Sequence, residues 1–131
     1  MAITGASGSL GQALLRRLHD CGAQLVALTS SAAPLRVCDR QGDPIPLRQV
    51  SWSCGQEEQL RAVLNDCDLL VINHGLNSHG DRSAAAVQRS LEVNALSSWR
   101  LLELFAQLAG ADDPQRPQRV IGPGQLREQL Q

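Results

Sequence analysis

Residues 4–11 read Thr4-Gly5-Ala6-Ser7-Gly8-Ser9-Leu10-Gly11, and this stretch decides the fold. A short apolar start leads directly into it. From the end of this stretch onward, leucines recur at helical spacing, at Leu10, Leu14 and Leu18. We expect the helix to end near Cys21-Gly22, where a glycine can adopt the left-handed conformation that closes a helix. The chain is therefore predicted to begin with a strand, a tight turn and an amphipathic helix.

The glycines of this turn have the spacing G-x-x-G-x-x-G at positions 5, 8 and 11. One glycine permits the tight turn, one lets backbone N–H groups approach a pyrophosphate, and one lets the helix pack close to the sheet. The phosphates would then lie at the positive end of the helix. The strand-turn-helix context favours dinucleotide binding by Gly5, Gly8 and Gly11. A tight turn with no ligand is the alternative.

The end of the second strand should select between the two nicotinamide dinucleotides. That strand is predicted over Gln24 to Thr29, and Thr29-Ser30-Ser31 contains no carboxylate. An acidic residue there would accept a hydrogen bond from the adenosine ribose and repel a 2′-phosphate. Its absence favours NADP over NAD, with Thr29, Ser30 and Arg36 as candidates to receive the phosphate. Alternatively, Arg36 only belongs to a solvated hairpin.

The rest of the chain continues to alternate strands and helices. The pattern predicts a small hairpin insertion near 35–50, a strand at Val50–Trp52, a helix from about Cys54 to Asn65 behind an S-x-x-Q capping box, a strand at Cys67–Asn73, a helix at about Ala84–Ala109 capped by Ser83, and an optional strand at Arg119–Ile121. This order indicates an α/β fold, a Rossmann-like three-layer sandwich. Right-handed crossovers give a parallel sheet of four or five strands, with order 3-2-1-4 and the fifth left open.

The composition excludes several kinds of chemistry. All 12 basic residues are arginine, and there is no lysine and no tyrosine. Any mechanism that needs a tyrosine phenol or a lysine ammonium would therefore depend on residues outside these 131. The net charge of −1 gives no electrostatic argument for nucleic acid or an anionic membrane as partner. No apolar run approaches membrane length, and no secretory signal opens the sequence.

The four cysteines contain no C-x-x-C pair, so we expect reduced structural thiols and a cytoplasmic protein, with no zinc or redox site. The loop with His74, His79 and Asp81 is interpreted as solvated, and no metal site is predicted.

The long helix carries one amide in its apolar face. The face is predicted to comprise Val87, Leu91, Asn94, Ser98, Leu101, Phe105 and Leu108, at spacings of three and four residues. An amide in the middle of such a stripe should be buried or directed into the cleft, so Asn94 needs hydrogen-bond partners. Either it serves a reaction, or it is a structural asparagine bonded to neighbouring backbone.

Three motifs in order resemble the short-chain dehydrogenase/reductase superfamily: Thr4 to Gly11, Asn73-His74-Gly75 after a strand, and Val93-Asn94 in the next helix. The glycine spacing is similar to that of the extended branch, whereas Asn73-His74-Gly75 resembles the N-A-G element of the other main branch. The resemblance covers about residues 1 to 110. It implies NADP or NAD as cofactor and hydride transfer between nicotinamide and a carbonyl or alcohol.

The resemblance also assigns roles. Along the cofactor pyrophosphate it places Gly5, Ser7, Ser9, Leu10 and Gly11. Asn73 and Gly75 would flank the adenosine ribose and the nicotinamide side of the cleft, with His74 between them as a further cofactor-binding candidate. Asn94 would be the catalytic asparagine that helps to organise the proton relay. The superfamily's Ser and Tyr-x-x-x-Lys have no counterpart, since this chain has no Tyr, no Lys and no Ser after Ser98. We therefore expect a shortened oxidoreductase that is inactive alone.

The domain organisation predicted from these patterns is an NAD(P)-binding Rossmann domain at 1–110, followed by a linker, a short edge strand and a tail at 111–131. The first strand is short for a central strand, and the fourth would leave an open edge unless residues 119–121 cover it. We therefore expect self-association, or a missing C-terminal half on the same or another chain. A non-catalytic nucleotide-binding or scaffold domain and a degenerate fragment without ligand are the alternatives. The substrate is not predicted.

Overall fold

A computed structural model describes residues 1–111 and 119–121, and it contains one parallel sheet of five strands. In chain order the strands are β1 (Ala2–Thr4), β2 (Val26–Thr29), β3 (Arg48–Ser51), β4 (Leu69–Val71) and β5 (Arg119–Ile121). Their order in the sheet is β3-β2-β1-β4-β5. The predicted Rossmann-like order 3-2-1-4 is confirmed, and the optional fifth strand is present. The rest of the predicted linker and tail, residues 112–118 and 122–131, lies outside the described residues.

Helices connect β1 to β2, β3 to β4 and β4 to β5, whereas the described segment between β2 and β3 contains no helix. The helices are α1 (Ser9–Asp20), a 3₁₀ turn (Glu57–Leu60) that runs into α2 (Arg61–Asn65), α3 (Ala84–Leu91), a π-helical turn (Glu92–Leu96) and α4 (Ser97–Ala111). Within the described part of the chain, no helix has the length and apolar character needed to cross a membrane.

Two hydrophobic clusters lie on opposite faces of the sheet, because successive strand residues point to opposite sides. One contains Ile3, Ala27 and Val71 from the strands and Leu14 and Leu15 from α1. The other contains Ala2, Leu28 and Leu70 from the strands and Leu101 and Phe105 from α4. The central strands β1, β2 and β4 are therefore covered on both faces, which explains why they are apolar without alternation.

The hairpin predicted near 35–50 is smaller than expected. Its strands meet in one antiparallel bridge, Cys38 with Pro44, and the Ile45 N–H donates to the Val37 carbonyl at 2.9 Å. Residues 48–50 belong instead to β3, which pairs in parallel with β2. The prediction that assigned them to the hairpin is wrong, because their backbone pairs with the central sheet.

The predicted capping box at Ser53 is also wrong. Its side chain makes no cap, and the first turn is the 3₁₀ turn that begins at Glu57. Gly55 has φ +94°, a left-handed conformation that a helix starting at Cys54 could not contain. The Glu57 carboxylate accepts the Gly55 N–H at 2.8 Å, so the acidic side chain holds the turn that precedes the helix.

The long helix predicted over 84–109 is interrupted by the π-helical turn. One extra residue in a turn rotates the residues before it by about 100° relative to those after it. Val87 is therefore 49% exposed and Leu91 57% exposed, although Leu101 and Phe105 are buried as predicted. The predicted single face is wrong in its first half for this reason.

The outer edge of β4 is covered. β5 pairs with it in parallel, with Leu70 opposite Val120. An unpaired edge at β4 was the physical reason to expect self-association, and β5 covers that edge and becomes the outer strand.

Candidate functional site

Two glycines near the turn between β1 and α1 allow backbone contacts that the Cβ of any other residue would block. Gly5 has φ +62°, and a Cβ there would lie 2.7 Å from the Asn73 carbonyl oxygen. At Gly11 a Cβ would lie 2.2 Å from the Gly5 carbonyl oxygen and 2.8 Å from the Ala6 Cα. Both neighbours are backbone, which cannot move aside. These two glycines therefore set how closely the loop packs against the start of α1 and the end of β4.

Gly8 has a different role, because it is the N-cap of α1. Its φ of −71° is open to any residue, and it provides no side chain to cap the helix. The first turn holds no acidic residue either. None of the hydrogen bonds within the described residues uses the backbone N–H of Ser9 or Leu10. The positive end of α1 thus presents unpaired donors, the arrangement that binds anions at helix N-termini.

A cleft of about 840 Å³ opens above this loop, at the carboxyl ends of the strands. Its volume lies in the range of small-molecule and cofactor sites. Ten of the residues predicted for a site line it: Gly5, Ser7, Gly8, Ser9, Leu10, Gly11, Ser30, Asn73, His74 and Gly75. Leu10 is 57% exposed here, whereas Leu14, the next leucine of the repeat, is buried. The structure brings the three predicted elements together at one edge of the sheet, where ligands of open α/β sheets bind.

Thr29, Arg36 and Asn94 are not among the residues that line the cleft. The Thr29 hydroxyl donates to the Ser31 carbonyl at 2.7 Å and accepts from Gln49 Nε2 at 3.1 Å. It is therefore occupied in holding the turn after β2. Arg36 is exposed on the hairpin. Of the three candidates for a 2′-phosphate, the structure places only Ser30 at the cleft.

The hydroxyl of Thr4 is the main hydrogen-bonding centre beneath the cleft. It accepts from the backbone N–H of Asn73 at 2.8 Å and of His74 at 3.2 Å, which uses both of its lone pairs. Its one hydrogen has two neighbours, His74 Nδ1 at 2.9 Å and the Val71 carbonyl at 3.4 Å. The shorter contact assigns the hydrogen to Nδ1, so the neutral imidazole carries its own proton on Nε2. Thr4, which is fully buried, thereby fixes the segment after β4.

The imidazole of His74 is held neutral in this position. Burial lowers its pKa from 6.5, against the opposing influence of the Val93 backbone and the Glu57 carboxylate. Its Nε2 is buried and makes no hydrogen bond within the described residues. Trp52 packs against the ring edge-to-face, with the ring centroids 5.4 Å apart and an interplanar angle of 87°. Trp52 and His74 together form part of the cleft wall.

Asn94 uses its whole amide to hold the loop that follows β4. Its Oδ1 accepts the Leu76 N–H at 2.7 Å, and its Nδ2 donates to the Leu76 carbonyl at 2.9 Å and to Ser90 Oγ at 3.1 Å. Asn94 is exposed and lies in the π-helical turn. The prediction that this amide is buried or faces the cleft is wrong, because the π-helical turn rotates it towards Leu76.

A buried carboxylate joins the start of α4 to the segment after β3. Glu57 is 4% exposed, and its Oε1 accepts from Ser97 Oγ at 2.7 Å. Its Oε2 lies 4.0 Å from Arg100 Nη1, and the same guanidinium hydrogen-bonds Glu92. The interaction with Glu92 raises the pKa of Arg100. These contacts fix the wall of the cleft that α3 and the π-helical turn provide.

Several cleft residues were not predicted as site residues. They are Leu28, Trp52, Ser53, Cys54, Leu76, Arg89, Glu92 and Val93. Ser53 and Cys54 follow β3, and the carboxyl ends of parallel strands share one edge, so the topology alone could have predicted them. Arg89 and Glu92 had no such signal, because their position depends on the π-helical turn.

Comparison with known proteins gives matches over most of the chain. The model of the family described as NAD dependent epimerase/dehydratase matches residues 1–121. A monoglucosyldiacylglycerol epimerase from Synechocystis sp. is 48% identical over 105 residues, which are 80% of this chain and 25% of that protein. The chain therefore spans about a quarter of the length of this curated relative.

Solved structures share the fold. MoeE5 in complex with UDP-glucose and NAD has a TM-score of 0.68 at 23% identity, over 92% of this chain and 34% of that chain. The UDP-glucose 4-epimerase of Thermus thermophilus with NAD has a TM-score of 0.65 at 19% identity, over 82% and 34%. A metagenomic short-chain oxidoreductase with NADP has a TM-score of 0.66 at 25% identity, over 83% and 55%. Both dinucleotides thus occur in structures of this architecture.

Proposed function

This chain belongs to the NAD-dependent epimerase/dehydratase family, and on that premise we propose that its cleft binds a nicotinamide dinucleotide. The resemblance to short-chain dehydrogenases is confirmed by the family match and by the shared fold. One observation carries the proposal: α1 begins without a side-chain cap, and the missing Cβ atoms of Gly5 before it and Gly11 in its first turn let backbone approach backbone. The N–H groups of Ser9 and Leu10 suit a pyrophosphate, whose charge the helix dipole stabilises. We assign this role to residues 1–110, with β5 completing the sheet.

For the choice of dinucleotide we propose NADP. The turn after β2 presents Ser30 to the cleft and contains no carboxylate that would repel a 2′-phosphate. Structures of this fold hold NAD in some cases and NADP in others, so the comparisons are compatible with either. Of the residues predicted to receive the phosphate, Ser30 has the strongest support from its position.

The chemistry available to these residues is binding and orientation. A nicotinamide dinucleotide supplies hydride transfer when it is bound. The cleft wall formed by His74 and Trp52 would help to exclude water from the nicotinamide ring. The hydrogen bonds to the Thr4 hydroxyl would hold the segment from Asn73 to Gly75 in place. Proton transfer by a tyrosine with a lysine partner requires residues that this chain does not contain. We therefore propose that the chain is the cofactor-binding part of an oxidoreductase.

For the whole protein we propose epimerisation of the sugar of a glycosylated diacylglycerol. The 48% identity to the Synechocystis epimerase over 105 residues supports this substrate class.

Isothermal titration calorimetry of the purified chain with NADPH and with NADH tests the proposal. We expect saturable binding at one site, with NADPH bound more tightly. No saturable heat with either nucleotide at several temperatures would overturn dinucleotide binding. Tighter binding of NADH would overturn only the preference for NADP.

A further inference from the structure

Arg89 contributes a cationic side chain to the cleft. It lies in the last turn of α3, and its side chain is exposed to solvent. The cleft that it lines is the same one that contains the glycine loop and Ser30. A ligand that binds along the loop would therefore share the cleft with this guanidinium.

The obvious partner for Arg89 is already engaged. Glu92 follows Arg89 by three residues, a spacing at which opposite charges on a helix usually pair, and it also lines the cleft. Its carboxylate is hydrogen-bonded by Arg100, which lies 4.0 Å from Glu57 as well. Arg100 thus draws Glu92 away from Arg89.

The charge balance of the cleft follows from this arrangement. Among the described residues that line it, only Arg89 and Glu92 carry a full charge, because burial holds His74 neutral by lowering its pKa. Within residues 1–111 and 119–121, the Arg89 side chain makes no ion pair or hydrogen bond. The cleft therefore presents one unpaired cation besides the unpaired backbone donors of α1.

We propose that Arg89 binds a phosphate group of the dinucleotide, an inference that rests on the proposed function. The planar guanidinium can make two parallel hydrogen bonds to phosphate oxygens, which an ammonium cannot do with the same geometry. The pyrophosphate and the 2′-phosphate of NADP are the two sources of this group. Arg89 complements the N–H groups of Ser9 and Leu10, which provide neutral donors to the same ligand.

The test compares Arg89→Gln with Arg82→Gln in the full chain. Arg82 is also exposed and precedes the cap of α3, but it does not line the cleft, so its variant removes the same charge without the proposed contact. Binding of NADPH and NADH is measured by calorimetry, with circular dichroism and thermal midpoints to verify folding. We expect Arg89→Gln to weaken binding roughly 10- to 100-fold, the usual loss for a hydrogen bond to a charged group. Arg82→Gln should change binding less than about 2-fold, as for a distant screened charge.

The two nucleotides distinguish the source of the phosphate. Equal weakening of NADPH and NADH supports a contact with the pyrophosphate, and weakening of NADPH alone supports a contact with the 2′-phosphate. Unchanged binding of both nucleotides to a folded Arg89→Gln protein, or equal losses in Arg82→Gln, would overturn the inference while dinucleotide binding stands. If the wild-type chain binds neither nucleotide, the proposed function itself fails.

Discussion

Replacing Thr4 by valine should destabilise the protein far more than replacing it by serine. Valine keeps the shape of threonine but removes the hydroxyl that hydrogen-bonds Asn73 and His74. Serine keeps the hydroxyl and removes only a methyl group. The pair of variants therefore separates the hydrogen bonds of this buried position from its packing.

The magnitude follows from the groups left without partners. In Thr4→Val the backbone N–H groups of Asn73 and His74 and the Nδ1 of His74 all lose the Thr4 oxygen. Each unsatisfied buried group costs about 1–3 kcal/mol, but partial access of water to residues 73 and 74 reduces the total. We expect a loss of about 2–4 kcal/mol, a large part of the usual stability of a small domain. Thr4→Ser should cost about 1 kcal/mol for the lost methyl group.

Thermal and urea unfolding, followed by circular dichroism, measure both variants. At about 4 °C per kcal/mol, the thermal midpoint should fall by roughly 8–16 °C in Thr4→Val and by roughly 4 °C in Thr4→Ser. If Thr4→Val is as stable as Thr4→Ser, the hydroxyl does not hold the segment after β4, and the hydrogen-bond assignment around His74 is incorrect.

Three further predictions concern the loop, the imidazole and a cleft thiol. Gly11→Ala should lower the free energy of unfolding by about 1–3 kcal/mol and abolish nucleotide binding, because its Cβ would lie 2.2 Å from a backbone oxygen. In Gly8→Ala the Cβ meets only an oxygen at 3.4 Å, so the free energy of unfolding should stay within about 1 kcal/mol of wild type. Equal urea midpoints for the two variants would contradict this difference. Folding lowers the pKa of His74 below its ordinary value of 6.5. The free energy of unfolding should therefore be highest above pH 6.5, and it should decrease as the pH falls from 6.5 towards the lower pKa of the folded state. His74→Gln should flatten this decline in thermal midpoint, and a His74→Gln profile that parallels wild type would refute it. NADPH should slow alkylation of Cys54, which lines the cleft, when mass spectrometry follows each thiol, and an unchanged rate at saturating nucleotide would count against binding there.

Local sequence signals predicted the elements whose conformation depends on neighbouring residues. Gly22 has φ +80° directly after α1, as its place at the end of the apolar repeat indicated. The glycine loop also forms as predicted, because positive φ at Gly5 and the close approach at Gly11 admit no other residue. The strand order followed from alternation of strands and helices with right-handed crossovers.

Features that depend on distant contacts were not predicted. The π-helical turn gives no periodic signal of its own, and it shifted Val87 and Leu91 out of the apolar face. The predicted capping box does not form. The Glu57 carboxylate accepts a hydrogen bond from the Gly55 N–H, and this contact holds a turn where a helix from Cys54 was predicted. Arg89 lies one turn before the π-helical turn and lines the cleft, and no sequence motif indicated this position.

Fluorescence of Trp52 during titration with NADPH tests dinucleotide binding in this cleft most directly. Trp52 is 7% exposed and lines the cleft, whereas Trp99 is 66% exposed on α4, so Trp99→Phe leaves one tryptophan that reports on the site. We predict a saturable change in Trp52 emission, with the same dissociation constant as calorimetry gives for the wild-type chain. Calorimetric binding without any change at Trp52, or no binding by either method, would contradict it.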